Sequence, residues 1–161
     1  MSISIRRAEP ADAAAITEMI HGLARFEKAP EQCTVVESQI SSALFDESPT
    51  LRAHVADVDG EVAAMALWFL NFSTWDGVEG IYLEDLFVRP AHRGKGRGKA
   101  LLVRLATTCV ENGWSRLQWA VLDWNTPSIE FYTSLGGIMM DDWTLCRVTG
   151  AALQRLAGQG A

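Results

Sequence analysis

The chain has 161 residues, 48% of them hydrophobic and 21% charged, with a formal net charge of −6. That length supports one domain with a substantial core, and the composition excludes long disorder. The acidic balance argues against general nucleic-acid affinity and suits a cationic small molecule.

A short strand is predicted at residues 4–6. Glu9-Pro10-Ala11-Asp12 then opens a helix over residues 11–25, with proline in its first turn. Ile16, Met19, Ile20 and Leu23 recur at helical spacing and mark its buried face. Residues 26–30, ending in Pro30, break it, and a weaker helix is expected over residues 36–44. Two strand-like runs, 51–56 and 62–72, flank Asp59-Gly60, a hairpin signal. Residues 74–77 form a second tight connection into a strand over 80–88, so two helices are followed by an antiparallel meander.

From Gly98 onward Leu101, Leu102, Leu105, Thr108 and Cys109 line one face of a helix that stops at Asn112-Gly113. The strand predicted at 117–122 is reached by a crossover and is therefore parallel to its partner. Thr126-Pro127-Ser128 starts a short helix ended by Gly136-Gly137. Residues 138–148 read as two short strands or one bent strand, and 149–157 as a weak terminal helix. The expectation is a single domain over residues 1–161.

Between strand 80–88 and the following helix lies Arg93-Gly94-Lys95-Gly96-Arg97-Gly98. Three alternating glycines cost backbone entropy on folding and need a reason. Backbone N–H groups turned toward an anion at the positive end of a helix supply one. Six of the 14 Lys and Arg residues, Arg89, Arg93, Lys95, Arg97, Lys99 and Arg104, fall within the 16 residues from 89 to 104. No acid occurs from Leu86 to Val110. The spacing does not make a Walker loop, because Gly94 and Gly98 have only three residues between them and Ala100 follows Lys99. The dinucleotide fingerprint fails at its third interval. A phosphate-bearing ligand that is not a nucleoside triphosphate is the expectation.

Arg93-x-x-Gly96-x-Gly98 between strand and helix resembles the acetyl-CoA pyrophosphate loop of the GNAT N-acetyltransferases. Trp124-Asn125-Thr126-Pro127-Ser128-Ile129-x-Phe131-Tyr132 resembles the second motif of that superfamily. Within it the chain is most similar to the diamine (spermidine/spermine) acetyltransferase group, through Ile5-Arg6, Leu23-Ala24-Arg25-Phe26-Glu27 and Tyr82-Leu83-Glu84-Asp85-Leu86-Phe87-Val88. The resemblance implies an α/β GNAT fold, with antiparallel N-terminal strands and a splayed parallel pair around the cofactor, flanked by helices. It also implies a homodimer.

By that resemblance the chain moves an acetyl group from acetyl-CoA to a primary amine, a diamine or polyamine first. A thialysine or other amino-acid side-chain amine is the alternative substrate, and a non-catalytic acyl-CoA-binding regulator the alternative of another class. Such transfer needs an acceptor for the amine proton, donors for the developing oxyanion and a proton for the departing thiolate. The resemblance gives these tasks to Glu84, to the backbone of Leu86, Phe87 and Val88, and to Tyr132, a phenol able to donate at neutral pH. Arg93, Gly94, Lys95, Gly96, Arg97, Gly98, Lys99, Asn125 and Ser128 complete the expected cofactor set.

Glu27 matches a cation-binding acid of the group, and Phe26 stands where that group often has Tyr. Phe26, Glu27, Trp75, Asp85, Asp142 and Trp143 are expected around a cationic substrate, where cation–π contacts contribute ~0.5–2 kcal/mol each. Because Glu84 and Asp85 are adjacent on a strand, they are expected on opposite faces, with one facing the acetyl group.

His21, His54 and His92 are scattered, and no metal site is expected. Cys33, Cys109 and Cys146 are odd in number, lack ligand spacing and are read as reduced, core-filling thiols. The N-terminus lacks an apolar signal core, and the longest apolar run, 62–70, is too short to span a bilayer. A cytoplasmic protein with neither a membrane nor a nucleic-acid partner is the expectation.

Overall fold

The computed structural model describes residues 3–160, in two compact units, Met1–Ala120 and Val121–Ala161. The first carries β1 (Ile3–Arg7), α1 (Ala13–Phe26), α2 (Glu37–Phe45), β2 (Arg52–Val58), β3 (Glu61–Ser73), β4 (Val78–Val88), α3 (Arg97–Asn112) and β5 (Leu117–Gln118). Its sheet runs in the order β1-β2-β3-β4-β5. The first four strands pair antiparallel, and β5 joins β4 in parallel.

A short 3-10 turn at Pro10–Asp12 leads into α1. The Asp12 carboxylate accepts the Glu9 amide at 2.7 Å and two Arg6 donors at 2.7 and 3.0 Å, which ties the start of the helix to β1. The Arg6 guanidinium holds the buried Asp12 carboxyl below its ordinary range. Between β2 and β3 both Asp59 (φ 52°) and Gly60 (φ 89°) are left-handed, the conformation a two-residue hairpin loop requires.

One sheet face packs on α1 and α2 through Ile16, Met19, Ile40, Leu44, Val55, Met65, Leu67 and Phe87. The other packs on α3, whose Leu101 and Leu105 are fully buried, as are Trp68 and Ile81. Trp68 Nε1 donates to His54 Nδ1 at 3.1 Å. Burial lowers the His54 pKa to about 4, so its ring stays neutral.

The sequence predicts a fifth strand over 117–122, but only Leu117 and Gln118 pair, opposite Ile81 and Tyr82. Gly80 permits that approach, since a Cβ there would lie 2.8 Å from the Arg116 carbonyl oxygen.

The second unit contains α4 (Thr126–Ser134) and α5 (Gly150–Ala157). Residues 138–148 form no strand, contrary to expectation. A strand needs a ladder partner and an apolar face to bury, and none of the described residues of this unit is buried. Cys33, Cys109 and Cys146 are free, and only Cys109 is buried, so the core-filling expectation holds for one thiol of three.

Candidate functional site

The register of β3 against β4 shifts in the middle of the ladder. Asp85 lies opposite Leu67 and Leu83 opposite Trp68, so Glu84 is the extra residue of a β-bulge. Leu83 and Leu86 then share one face, while Tyr82, Glu84, Asp85 and Phe87 share the other. This corrects the expectation that the adjacent acids oppose one another, because strict alternation holds only in an unbroken ladder. Phe87 marks that face as the one against α1, since a Cβ on Gly22 would meet its ring at 2.9 Å.

Glu27, at the C-terminal end of α1, adds a third carboxylate on this side. Glu84 is exposed and Asp85 half-buried. Burial first, then the charges of Glu84 and Glu27, push the Asp85 carboxyl up to about 6. Partial desolvation also raises the Glu27 pKa. No salt bridge or side-chain hydrogen bond to these three acids occurs among the described residues. An unneutralised group of acids at the end of α1 favours a ligand that brings positive charge.

The same strand offers backbone on its outer edge. Arg89 N donates to Ala63 O at 2.9 Å, which makes every second residue back along β4 a hydrogen-bonded partner of β3. Phe87 and Asp85 therefore direct their N–H groups to β3, while Leu86 and Val88 direct theirs outward. On that edge β5 pairs only as far as Tyr82. Of the three residues expected to offer backbone to a ligand, the register leaves Leu86 and Val88 and commits the Phe87 amide.

The glycine loop meets the start of α3. Gly94 (φ 70°) and Gly96 (φ 78°) are left-handed, and Gly96 is the N-cap. Among the described residues, no backbone N–H of Gly94, Lys95, Gly96 or Gly98 donates to a backbone carbonyl. Those amides suit an anion at the helix start. The side chains do not all follow. Lys95 Nζ donates to Ala91 O at 3.1 Å, and Arg97 is buried with Nη1 on Lys95 O at 2.7 Å. Arg93 leaves the loop altogether. Its Nε donates to Val88 O at 3.0 Å, and its guanidinium lies 5.5 and 5.3 Å from the ring centroids of Phe26 and Phe87.

Phe26, Glu27 and Asp85 thus gather where the sequence places a substrate. Trp75 does not join them. It is exposed in the β3–β4 turn, and the seven steps from Val78 to Asp85 span about 23 Å of strand. Asp142 and Trp143 are exposed in the second unit. That unit also carries Asn125 at the N-cap of α4, Ser128 in its first turn and Tyr132, whose ring lies 5.4 Å from that of Phe131. The bulge and the arginine at position 25 carry no signal in a single sequence. Arg25 resembles any exposed helix-end cation.

Residues 18–137 match the model of the acetyltransferase (GNAT) family. The chain belongs to this family. It is 33% identical to the thialysine N-epsilon-acetyltransferase of Bos taurus, with 98% of each chain covered. It is 26% identical to a spermidine/spermine N(1)-acetyltransferase-like protein 1 of Homo sapiens over 95% of this chain and 23% of that one. Among solved structures, an integron cassette protein from Vibrio cholerae superposes with a TM-score of 0.82 at 25% identity, covering 98% of both chains. The mixed five-stranded sheet is the GNAT fold, as the sequence predicts.

Membership makes the chain an acetyl-CoA-dependent amine N-acetyltransferase. The amides of Gly94, Lys95, Gly96 and Gly98 and the outward N–H groups of Leu86 and Val88 fit an extended phosphate-bearing cosubstrate. No group of three or more His, Cys, Asp or Glu able to hold a metal occurs among the described residues. No helix among them is long and apolar enough to cross a membrane.

Proposed function

We propose that the chain acetylates the terminal amine of a basic amino acid of the thialysine or lysine type. The observation that carries the cationic substrate is the group of three unneutralised carboxylates, Glu27, Glu84 and Asp85. The near full-length thialysine relative favours the amino acid over the diamine that the sequence puts first. A diamine is the second reading, supported by the same acids and by the spermidine/spermine-like relative.

In this reading the reaction is direct. Glu84, assigned as base by the resemblance, shares the bulge with Asp85, and the pair takes the ammonium proton, directly or through water. Asp85 is the better acceptor, because a base works best when its pKa approaches the operating pH. The freed amine attacks the thioester carbonyl, a C–N bond forms and the C–S bond breaks. The N–H groups of Leu86 and Val88 would hold the cosubstrate and polarise the carbonyl. The amides of Gly94, Lys95, Gly96 and Gly98, with Lys99, Asn125 and Ser128, would bind its diphosphate end. Tyr132 would return a proton to the thiolate. The homodimer expected from the resemblance is supported by exposed apolar side chains at Ile138, Met140, Trp143 and Leu145.

Thiol release measured over lysine, thialysine, ornithine, putrescine, spermidine and an aminoglycoside tests the assignment. Turnover with none of them, despite tight acetyl-CoA binding, would instead support the acyl-CoA-binding regulator.

A further inference from the structure

Beside the acid group, α1 and the turn after β4 enclose an open cavity of about 620 Å³. Met19, Gly22, Phe26 and Phe87 give it an apolar lining, and Arg25 and Arg93 stand in its wall. Arg89 and Glu18 there already match one another. Arg89 donates to both Glu18 oxygens at 2.9 and 3.1 Å and through Nε to Val62 O. His92 Nε2 lies 3.6 Å from Glu61.

Arg93 is different. Its only hydrogen bond among the described residues is from Nε, its Cζ lies 5.5 and 5.3 Å from the ring centroids of Phe26 and Phe87, and both Nη groups are left to donate. Arg25 has no hydrogen-bond acceptor among the described residues, and the acid whose field it adds to, Glu18, is held by Arg89. The cavity therefore presents two guanidinium groups over an apolar floor.

That floor continues into the acid site. Phe26 precedes Glu27 in the chain, and Phe87 follows Asp85 on the same face of β4, one pleat repeat or about 7 Å away. A ligand lying along this face meets cations at one end and carboxylates at the other.

The geometry points to Arg25 and Arg93 as the receivers of a carboxylate, so that the cavity takes the α-carboxylate end of a basic amino acid whose terminal amine reaches Glu84 and Asp85. This rests on the amine-acetyltransferase reading above and deepens it. A guanidinium offers paired, coplanar donors that match a carboxylate. The matched diamine keeps its second ammonium but lacks the carboxylate that would offset it against the two guanidinium groups, a repulsion that selects against the diamine.

Ornithine and putrescine differ only by the carboxylate, as do lysine and cadaverine, and these matched pairs make the test. Steady-state thiol release by the full chain is measured for wild type, Arg25→Gln and Arg93→Gln. Wild type is expected to prefer the amino acid of each pair. Each variant is expected to lower the ratio of kcat/KM for amino acid over diamine about 10- to 100-fold, the effect of losing a charged hydrogen bond.

Arg25→Gln, on the exposed end of α1, is the cleaner variant, since Arg93 also braces Val88. An unchanged ratio in both variants would overturn the inference. So would a rise confined to the KM for acetyl-CoA, which would assign the guanidinium groups to a phosphate of the cosubstrate. No turnover with any member of either pair would instead remove the basic amino acid and the simple diamine as substrates, and this inference with them.

Discussion

Asp85→Asn is expected to make the protein more stable and less active. The Asp85 carboxyl titrates at about 6 in the fold against an ordinary 3.8. A folded-state pKa raised above the unfolded value means that the native protein binds its proton more tightly. The contribution of the acid is therefore most favourable below pH ~4 and declines as pH rises from about 4 to about 6. Above that it is constant and unfavourable. A shift of about 2 units corresponds to at most about 3 kcal/mol.

Asn removes that penalty but leaves an amide in a half-buried place, so a net gain of ~1–2 kcal/mol at pH 8 is expected, or ~2–8 °C in Tm. Denaturant unfolding of wild type and variant from pH 4.5 to 8 measures it. The gain should be near zero at the acid end, grow to about pH 6.5 and then level off. A variant no more stable than wild type at pH 8, or a gain independent of pH, would refute the reasoning. The same variant should lose most of its turnover, because in the proposed mechanism the group that costs stability is the one that accepts the proton.

Glu84→Gln removes a charge that raises the Asp85 pKa. The acid limb of kcat/KM should therefore move to lower pH, and an unmoved limb would separate the two acids. Tyr132→Phe should depress kcat far more than acetyl-CoA affinity, and equal losses in both would make the tyrosine structural. Gly80→Ala would set a Cβ 2.8 Å from the Arg116 carbonyl oxygen. It should cost ~1–3 kcal/mol by pushing β5 from β4, and an unchanged Tm in thermal unfolding would argue against that close approach.

The helices and the meander are legible in the sequence because they are local. The apolar spacing of Ile16, Met19 and Leu23 requires one helix face, and Asp59-Gly60 requires a left-handed two-residue turn. The glycine loop is legible for the same reason. Left-handed Gly94 and Gly96 are backbone states that other residues resist, so the composition itself announces them. The parallel crossover into β5 follows from the helix between the strands.

What the sequence leaves open is decided by long-range register. Strand periodicity alone sends Glu84 and Asp85 to opposite faces. One inserted residue against Leu67 and Trp68 brings both to the face of α1 and lets Glu84 and Glu27 act on Asp85. The same ladder selects Leu86 and Val88 over Phe87 as free donors, since only pairing with β3 determines which amides are already engaged. Arg93 shows the limit most plainly. Its motif assigns it to a phosphate loop, while the fold sets its guanidinium 5.5 and 5.3 Å from the ring centroids of Phe26 and Phe87, one of them distant in the chain. Local spacing determines the elements and the cosubstrate loop. Strand register and side-chain packing, which depend on residues far apart in sequence, decide which groups face the amine.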